Sequence, residues 1–413
     1  MQKWMGVLIK QERLRQNLSQ EGVCRGVCAV SYLSKIEKGR VEPGQDILDG
    51  LFQALGLRLE QDEEFLQTAE RYLTGYFDRV LREQTPCEAD MQALNGWENR
   101  LLISRLCLQY RLYQAAVLLY AGQQERSLER LKELSQFQND MGEETAFLYW
   151  ILCHKAAQDH DESLAALQKA SAHKICGLGD LFLARKLFLH GDYLEALSAC
   201  TKGYERGAVE GDAYVLEWIS YLEGCCYANL QNIPLMCKAF LRAERLTRDE
   251  HTRGWIHYNI GASYLQAGDL QEALKHLRLA QASIPEEGLF DLYHKLAWTW
   301  CGLGNREEAG ACLRQMEASA NWMGQTEESL RRKIIRLTHL RLEASYQDNE
   351  EYLALLGELY STIEEKAHFG FKQFYAPFYI EALAHRRRYK EALMVAGKTG
   401  CVFSYMYPFK TDK

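Results

Sequence analysis

The sequence predicts an all-α protein with two parts, a small helical N-terminal domain and a long array of helical hairpins. Two observations indicate this class. The first 60 residues contain short helical patterns separated by turn residues, and a short apolar signature then recurs at spacings of 33 to 43 residues. A third observation agrees with both: there are 6 prolines in 413 residues, so long helices can run uninterrupted.

Composition favours a soluble protein without a membrane span. Hydrophobic residues make up 47% and charged residues 25%, and no run of 18 uncharged apolar residues occurs. The N-terminal apolar patch is too short for a secretory signal, so we expect a cytoplasmic location. The 13 scattered cysteines lie mostly in apolar helical patterns and match no zinc-ligand spacing. We therefore expect reduced thiols, no metal and no cofactor.

Charge is distributed unevenly along the chain. Residues 1–60 carry nine Lys and Arg against seven Asp and Glu, a net +2, which leaves 40 against 49, a net −9, in residues 61–413. A mildly basic domain on an acidic body is compatible with nucleic acid contact through the basic domain alone.

The first 60 residues show the start and stop signals of four helices. Ser19 precedes a short second helix as its N-cap, and Gly26 marks a tight turn before the third. Gly39 ends the third helix, and Gly56 ends a fourth helix that begins at Asp46. Leu33 and Ile36 are expected to face inward from the third helix. The apolar positions of the first helix are Leu8, Ile9, Leu14 and Leu18.

The segments Leu18–Glu21 and Ser31–Gly39 closely resemble the XRE-type helix-turn-helix family, over about residues 6–57. In particular they resemble the short-turn variant of peptide-sensing regulators of Gram-positive bacteria. The resemblance implies that the helix starting at Val30 enters the major groove of a double-stranded DNA operator. The implied base-contacting residues are Val30, Ser31, Tyr32, Ser34 and Lys35, with Gln20, Lys38 and Arg40 positioning the backbone.

Individual contacts in this set have alternatives. Lys35 is the one long donor among the base-contacting residues and suits guanine O6 and N7, while Val30 or Tyr32 suits a thymine methyl group. The alternative for Tyr32 is packing on the domain, and the alternative for Lys38 is a solvated side chain that contacts no DNA. The resemblance also implies that Arg13 and Glu37 form a buried ion pair between the first and third helices, a structural role.

A charged amphipathic run follows over residues 61–86. Its apolar positions include Phe65, Leu66, Tyr72 and Phe77, and it ends at Pro86. We expect a linker helix that sets the spacing between the two parts and can supply a dimer contact.

Residues 87–413 contain the recurring signature, a small residue followed by an aromatic residue or leucine, a turn, and then Glu, a small residue and Leu. Its clearest copy runs from Gly261 to Ala280. The copies are centred on positions 127, 163, 196, 236, 273, 309, 352 and 392. They resemble tetratricopeptide repeats, which implies a right-handed tetratricopeptide-like α-solenoid of about seven to eight hairpins.

The resemblance also implies which side chains line the inner surface. With Gly261 at the small position of the repeat, the first helix of each hairpin faces the concave side. The predicted residues are Arg185, Tyr221, Tyr258, Asn259, His294, Trp298, Arg341 and Glu381. Aromatic and charged groups of this kind suit an extended peptide, although each one also suits packing between repeats.

The order of helix-turn-helix, linker helix and tetratricopeptide array is similar to that of the RRNPP family of quorum-sensing regulators. That resemblance implies a homodimer whose operator binding changes when a short signalling peptide occupies the groove. A regulator whose array binds a protein partner is the alternative. Catalysis is disfavoured, because no Walker-type glycine loop, His-Glu-x-x-His or nucleophile elbow occurs.

Overall fold

The computed structural model describes residues 3–319, 325–366 and 369–399. These residues form α-helices joined by turns and short 3₁₀ segments, and no strand occurs among them. The chain divides into two compact units, Met1–Gly179 and Asp180–Lys413. No described helix is long and apolar enough to cross a membrane. The predicted all-α class is confirmed.

Four helices form the N-terminal domain: α1 (Lys3–Arg15), α2 (Gln20–Cys24), α3 (Val30–Glu37) and α4 (Gln45–Ala54). The predicted N-cap and turn glycines are confirmed. The Ser19 hydroxyl accepts a hydrogen bond from the Gly22 amide at 3.0 Å, and Gly26, Gly39 and Gly56 all have positive φ. The buried core comprises Leu8, Ile9, Val23, Cys24, Leu33, Ile36, Leu48, Leu51, Phe52 and Leu55.

A close approach between α1 and α3 depends on Gly6. A Cβ atom at this position would lie 2.1 Å from the carbonyl oxygen of Ile36. Because that oxygen belongs to the backbone, no rotamer change can relieve the overlap. Gly6 therefore lets the first helix pack directly against the end of the third.

The predicted linker helix is α5 (Glu63–Leu81), followed by α6 (Glu88–Gly96) and α7 (Glu98–Leu101). One face of α5 is buried within the first unit rather than free in solvent. Tyr76 packs edge-on against Tyr113 with ring centroids 4.8 Å apart, and Tyr120 donates a hydrogen bond to the Val80 carbonyl at 3.0 Å. This helix is thus packed on the hairpin that follows it.

Eight helical hairpins follow within the described part of residues 107–399. The first unit contains α8 (Cys107–Tyr120) with α9 (Gln124–Leu134) and α10 (Glu143–Ala156) with α11 (His160–His173). The next helices are α12 (Gly177–His190) with α13 (Tyr193–Glu210), α14 (Ala213–Asn229) with α15 (Ile233–Leu246), and α16 (Glu250–Ala267) with α17 (Leu270–Gln281). The last are α18 (Leu289–Gly302) with α19 (Arg306–Ala318), α20 (Gln325–Arg341) with α21 (Glu350–Lys366), and α22 (Phe369–His385) with α23 (Tyr389–Thr399).

The sequence signature marks the second helix of each hairpin. All eight centres are buried, with at most 2% of the side chain exposed: Ser127, Ser163, Ala196, Met236, Ala273, Ala309, Tyr352 and Ala392. Small residues stand where paired helices touch. A Cβ on Gly261 would lie 2.7 Å from Leu277 Cγ, and one on Gly224 would lie 2.6 Å from the Phe240 ring. The repeat interpretation is confirmed as architecture.

Helix α22 packs differently from the first helices before it. It lies against α14 and α16 as well as against α21 and its hairpin partner α23. Its Phe374 and Phe378 contact Trp298 of α18 at ring-centroid distances of 5.5 and 4.5 Å. Within the second unit, α22 therefore covers part of the surface that the first helices of preceding hairpins form.

Candidate functional site

The surface of α3 carries most of the predicted DNA-contacting side chains. Leu33 and Ile36 turn inward, which leaves the opposite face to solvent. Val30 is 42% exposed, and the side chains of Ser31 and Lys35 are also exposed. Ser34 is half-buried; Lys38 and Arg40, directly after the helix, are exposed.

An ion pair fixes the orientation of this helix. Arg13 of α1 donates two hydrogen bonds to Glu37 of α3, from Nε to Oε1 at 2.6 Å and from an Nη to Oε2 at 3.0 Å. The Glu37 side chain is 4% exposed and the Arg13 side chain 11%. Arg13 also donates to the Leu18 carbonyl at 3.0 Å. The structural role predicted for this pair is confirmed.

Two residues of the predicted DNA-contacting set make contacts within the domain. Gln20 donates from Nε2 to Glu37 Oε2 at 2.7 Å, so its amide nitrogen completes the ion pair. Tyr32 is half-buried and packs against the domain core. Their contacts with DNA stay predictions, and for each the structure supplies a structural role as well.

Arg25 is a cation that the sequence analysis did not select. It ends α2 as the C-cap and is exposed, immediately before the turn at Gly26. It therefore joins Lys35, Lys38 and Arg40 as an exposed positive charge near the helix-turn-helix motif. Its position directly before the turn glycine Gly26 was the sequence feature that could have marked Arg25 as an exposed cation of the motif.

In the second unit, Tyr221, Tyr258 and Asn259 come together on adjacent first helices. Asn259 of α16 donates from Nδ2 to the Tyr221 hydroxyl of α14 at 2.9 Å. Tyr221 also packs edge-on against Trp218 at 5.6 Å, and Tyr258 against Trp255 at 5.5 Å. Burial raises the pKa of the Tyr258 hydroxyl well above its ordinary value. This stretch is a polar and aromatic surface in which the Asn259 amide is already oriented.

His294, Trp298 and Arg341 lie beneath α22 rather than on an open surface. His294 and Trp298 are 0% exposed and Arg341 is 8% exposed. The Arg341 guanidinium lies 4.4 Å from the Trp298 ring centroid and donates to the Tyr352 hydroxyl at 2.7 Å. Ligand contact by these residues stays a prediction. In the described arrangement their partners are protein side chains.

The two remaining predicted peptide contacts are more exposed. Arg185 of α12 is exposed. Glu381, near the end of α22, is also exposed and accepts a hydrogen bond from Gln347 Nε2 at 2.9 Å.

Lys295 and Asp291 are charged groups that the sequence analysis missed. Lys295 is 3% exposed, with Nζ 3.2 Å from His294 Nδ1 and 3.4 Å from the Phe374 ring centroid. Burial lowers the pKa of Lys295 to about 7, and the charge of Asp291 opposes part of that shift. Burial also raises the pKa of Asp291. The sequence around these two residues did not indicate that they are buried, because α22 packs over them only in the tertiary fold.

Comparison with known proteins addresses both parts of the chain. The helix-turn-helix family matches residues 9–61. Residues 9–61 are a helix-turn-helix domain. With the exposed α3 surface described above, this confirms the sequence resemblance for the N-terminal part. No curated protein matches the chain.

Solved structures resemble most of the chain. The apo form of the quorum sensor NprR from B. thuringiensis has a TM-score of 0.63 and 15% identity, over 84% of this chain and 99% of that chain. NprR in complex with its cognate peptide NprX has a TM-score of 0.51 and 15% identity, over 76% and 97%. A Rap protein complexed with Competence and Sporulation Factor has a TM-score of 0.56 and 12% identity, over 82% and 97%. These likenesses establish the fold.

Proposed function

We propose that the protein is a transcriptional regulator of the RRNPP type, which binds a specific DNA operator through its helix-turn-helix and responds to a short signalling peptide. The observation that carries the proposal is the joining of two features in one chain. A helix-turn-helix domain with an exposed, partly basic recognition helix precedes an array with the fold of the quorum sensor NprR. No catalytic step is part of this function.

The DNA-binding part of the proposal rests on α3 and its flanks. Ser31, Ser34 and Lys35 offer donors and acceptors to base edges, and Arg25, Lys38 and Arg40 offer charges to phosphates. The Arg13–Glu37 pair holds α3 against α1, so these side chains are presented from a rigid element.

The peptide-binding part rests on the second unit. NprR was solved with its cognate peptide, and the present array has the same fold. Asn259 and Tyr221 supply an oriented amide and hydroxyl for a peptide backbone, and Trp218 and Trp255 supply apolar contact area. We assign the ligand surface to the stretch around Tyr221, Tyr258 and Asn259. Arg185 lies on α12, the first helix of the preceding hairpin.

A homodimer would couple the two parts. Helix-turn-helix dimers bind half-sites one helical turn apart, so the spacing between two recognition helices sets operator affinity. A peptide shifts that spacing only by binding one arrangement of the dimer more tightly than the other. This coupling is equally compatible with activation and with repression of transcription.

The experiment begins with the operator. DNA bound by the full-length protein in cell extract is captured and sequenced, and copurified peptides are identified by mass spectrometry. Fluorescence anisotropy then measures operator affinity with each peptide and with a scrambled peptide. We expect the cognate peptide to change operator affinity, and we expect Asn259→Ala to reduce the size of that change at least tenfold. Asn229→Ala is the matched control, because its amide donates to a helix carbonyl, Cys225 O.

The alternative is a regulator whose array binds a protein partner. The same capture distinguishes the two functions. If no peptide changes operator affinity or thermal stability, and a stoichiometric protein copurifies instead, the peptide proposal is wrong while the DNA-binding proposal stands.

A further inference from the structure

Two histidines face each other across the hairpin of α16 and α17. His257 Nδ1 and His276 Nδ1 are 3.1 Å apart, and the ring centroids are 5.2 Å apart. Each side chain is 13% exposed, so both rings are mostly buried yet reachable by small solutes. Nothing in the proposed regulatory function requires this pair.

The outer nitrogens of both rings face carboxylates. His257 Nε2 lies 3.3 Å from Glu244 Oε1 of α15, and His276 Nε2 lies 3.9 Å from Glu272 Oε2. Lys275 also bonds Glu272, at 2.7 Å. The Glu244 carboxylate favours a proton on His257 Nε2, because a bare nitrogen lone pair would face a negative oxygen, whereas His276 Nε2 is too far from Glu272 for a hydrogen bond.

Two neutral imidazoles carry two N–H protons in total. With one proton on His257 Nε2, the His257 Nδ1 atom presents its lone pair towards His276. If the second proton is on His276 Nδ1, that nitrogen donates to His257 Nδ1 at 3.1 Å. If it is on His276 Nε2, both Nδ1 lone pairs are free to bind one metal ion placed between the rings.

We propose that His257 and His276 bind a divalent transition metal ion, of which Zn²⁺ is the probe, through their Nδ1 atoms. Two nitrogens bound to zinc at about 2.0–2.1 Å with a tetrahedral angle lie about 3.3 Å apart, close to the observed separation. Histidines that bind metals commonly donate their other N–H to a carboxylate, and Glu244 is placed to accept from His257 in this way. Solvent completes the coordination.

The spacing search in the sequence missed this pair because the two histidines are 19 residues apart and meet only when the hairpin closes.

A bound ion would connect three helices. It would tie α16 directly to α17, and the Glu244 contact would extend the connection to α15. His257 directly precedes Tyr258 and Asn259, so the site adjoins the proposed ligand surface. The inference does not depend on that function, since metal binding is measured without peptide or DNA.

The test uses the full-length protein, freed of metal by a chelator and kept with reduced thiols. Zn²⁺ is titrated calorimetrically, and Co²⁺ is titrated with absorption spectra to show the ligand type. We expect a site of one ion per chain with nitrogen and oxygen ligands, and a raised melting temperature. His257→Ala and His276→Ala should each weaken binding at that site at least tenfold.

Controls separate the site from other metal-binding groups. His339→Ala removes an exposed histidine that pairs with Glu317 at 2.8 Å and should leave binding unchanged. A thiolate charge-transfer band with Co²⁺ would place the metal on cysteine instead, for which Cys237, 3.5 Å from the Tyr264 hydroxyl, is a nearby candidate. If an Ala variant does not fold, His257→Gln and His276→Gln replace it. Absence of binding, or equal binding by parent and both variants, overturns the proposal.

Discussion

At the scale of single residues, Lys35 is the exposed long donor on the recognition surface of α3. We expect Lys35→Ala to weaken binding to the specific operator by about 1–3 kcal/mol, because a bidentate contact to guanine is lost. Specificity should relax at one operator position. Fluorescence anisotropy with the operator and its single-base variants measures both effects. Lys132→Ala, an exposed lysine on α9, is the control; equal affinities of Lys35→Ala and parent would contradict the assignment.

The Arg13–Glu37 pair combines burial with bidentate geometry. Glu37→Gln leaves the Arg13 charge mostly buried without its counter-ion, so we expect the N-terminal domain to lose about 3–5 kcal/mol of stability. Hydrogen exchange of the α3 amides measures the local loss. Arg15→Ala, which removes the pair between the exposed Arg15 side chain and Glu12, should cost much less. Similar losses in both variants would show that the buried pair is not special.

Lys295 should make stability depend on pH. Its pKa is about 7 in the folded protein, against an ordinary value of 10.5. Between these values the unfolded chain binds a proton that the folded chain does not, so stability rises with pH; below pH 7 both states are protonated and the full cost of burial remains. Relative to Lys295→Met, the parent should gain about 4 kcal/mol between pH 7 and 10.5. Urea unfolding at both pH values tests this, and a constant difference would refute it.

At the scale of elements, the packing of α1 on α3 depends on the absence of a side chain at Gly6. We expect Gly6→Ala to destabilise the N-terminal domain by about 1–3 kcal/mol, because its Cβ meets a backbone carbonyl. Gly75→Ala, within α5, is the matched control. A Cβ there meets nothing within 4 Å, so alanine should stabilise α5 by about 0.5–1 kcal/mol. Unfolding followed by circular dichroism compares the two; a tolerated Gly6→Ala would contradict the close packing.

Helix boundaries in the N-terminal domain followed from local chemistry. Ser19, Gly26, Gly39 and Gly56 acted where caps and turns require them, and α3 ends at Glu37, two residues before the predicted glycine. The register of the repeats also followed from sequence, since each signature centre is buried. The packing of α5 did not follow. An amphipathic pattern predicts an apolar face, but it does not say which helix covers that face.

At the scale of the whole molecule, the positive charge near the recognition helix belongs to a chain with a net charge of −7. DNA binding should therefore depend on a few phosphate contacts and weaken as salt increases. We expect Arg40→Ala to weaken binding to specific and to non-specific DNA by the same factor. The slope of log K against log salt concentration should also become smaller in magnitude by about 0.9. Lys35→Ala should instead act mainly on specific DNA. Titrations at several salt concentrations measure the slopes, and an unchanged slope for Arg40→Ala would exclude a phosphate contact.

The sequence by itself determined the all-α class, the helix-turn-helix, the Arg13–Glu37 pair and the repeat register. The class and the repeat register depend on residues whose spacing along the chain matches a helical period or a cap, and the Arg13–Glu37 pair follows from the resemblance of residues 6–57 to the XRE-type helix-turn-helix family. Only the tertiary structure decided that α22 covers Trp298 and His294, that Lys295 is buried, and that His257 meets His276. These contacts join residues on different helices, and their distances depend on how hairpins pack rather than on any local pattern.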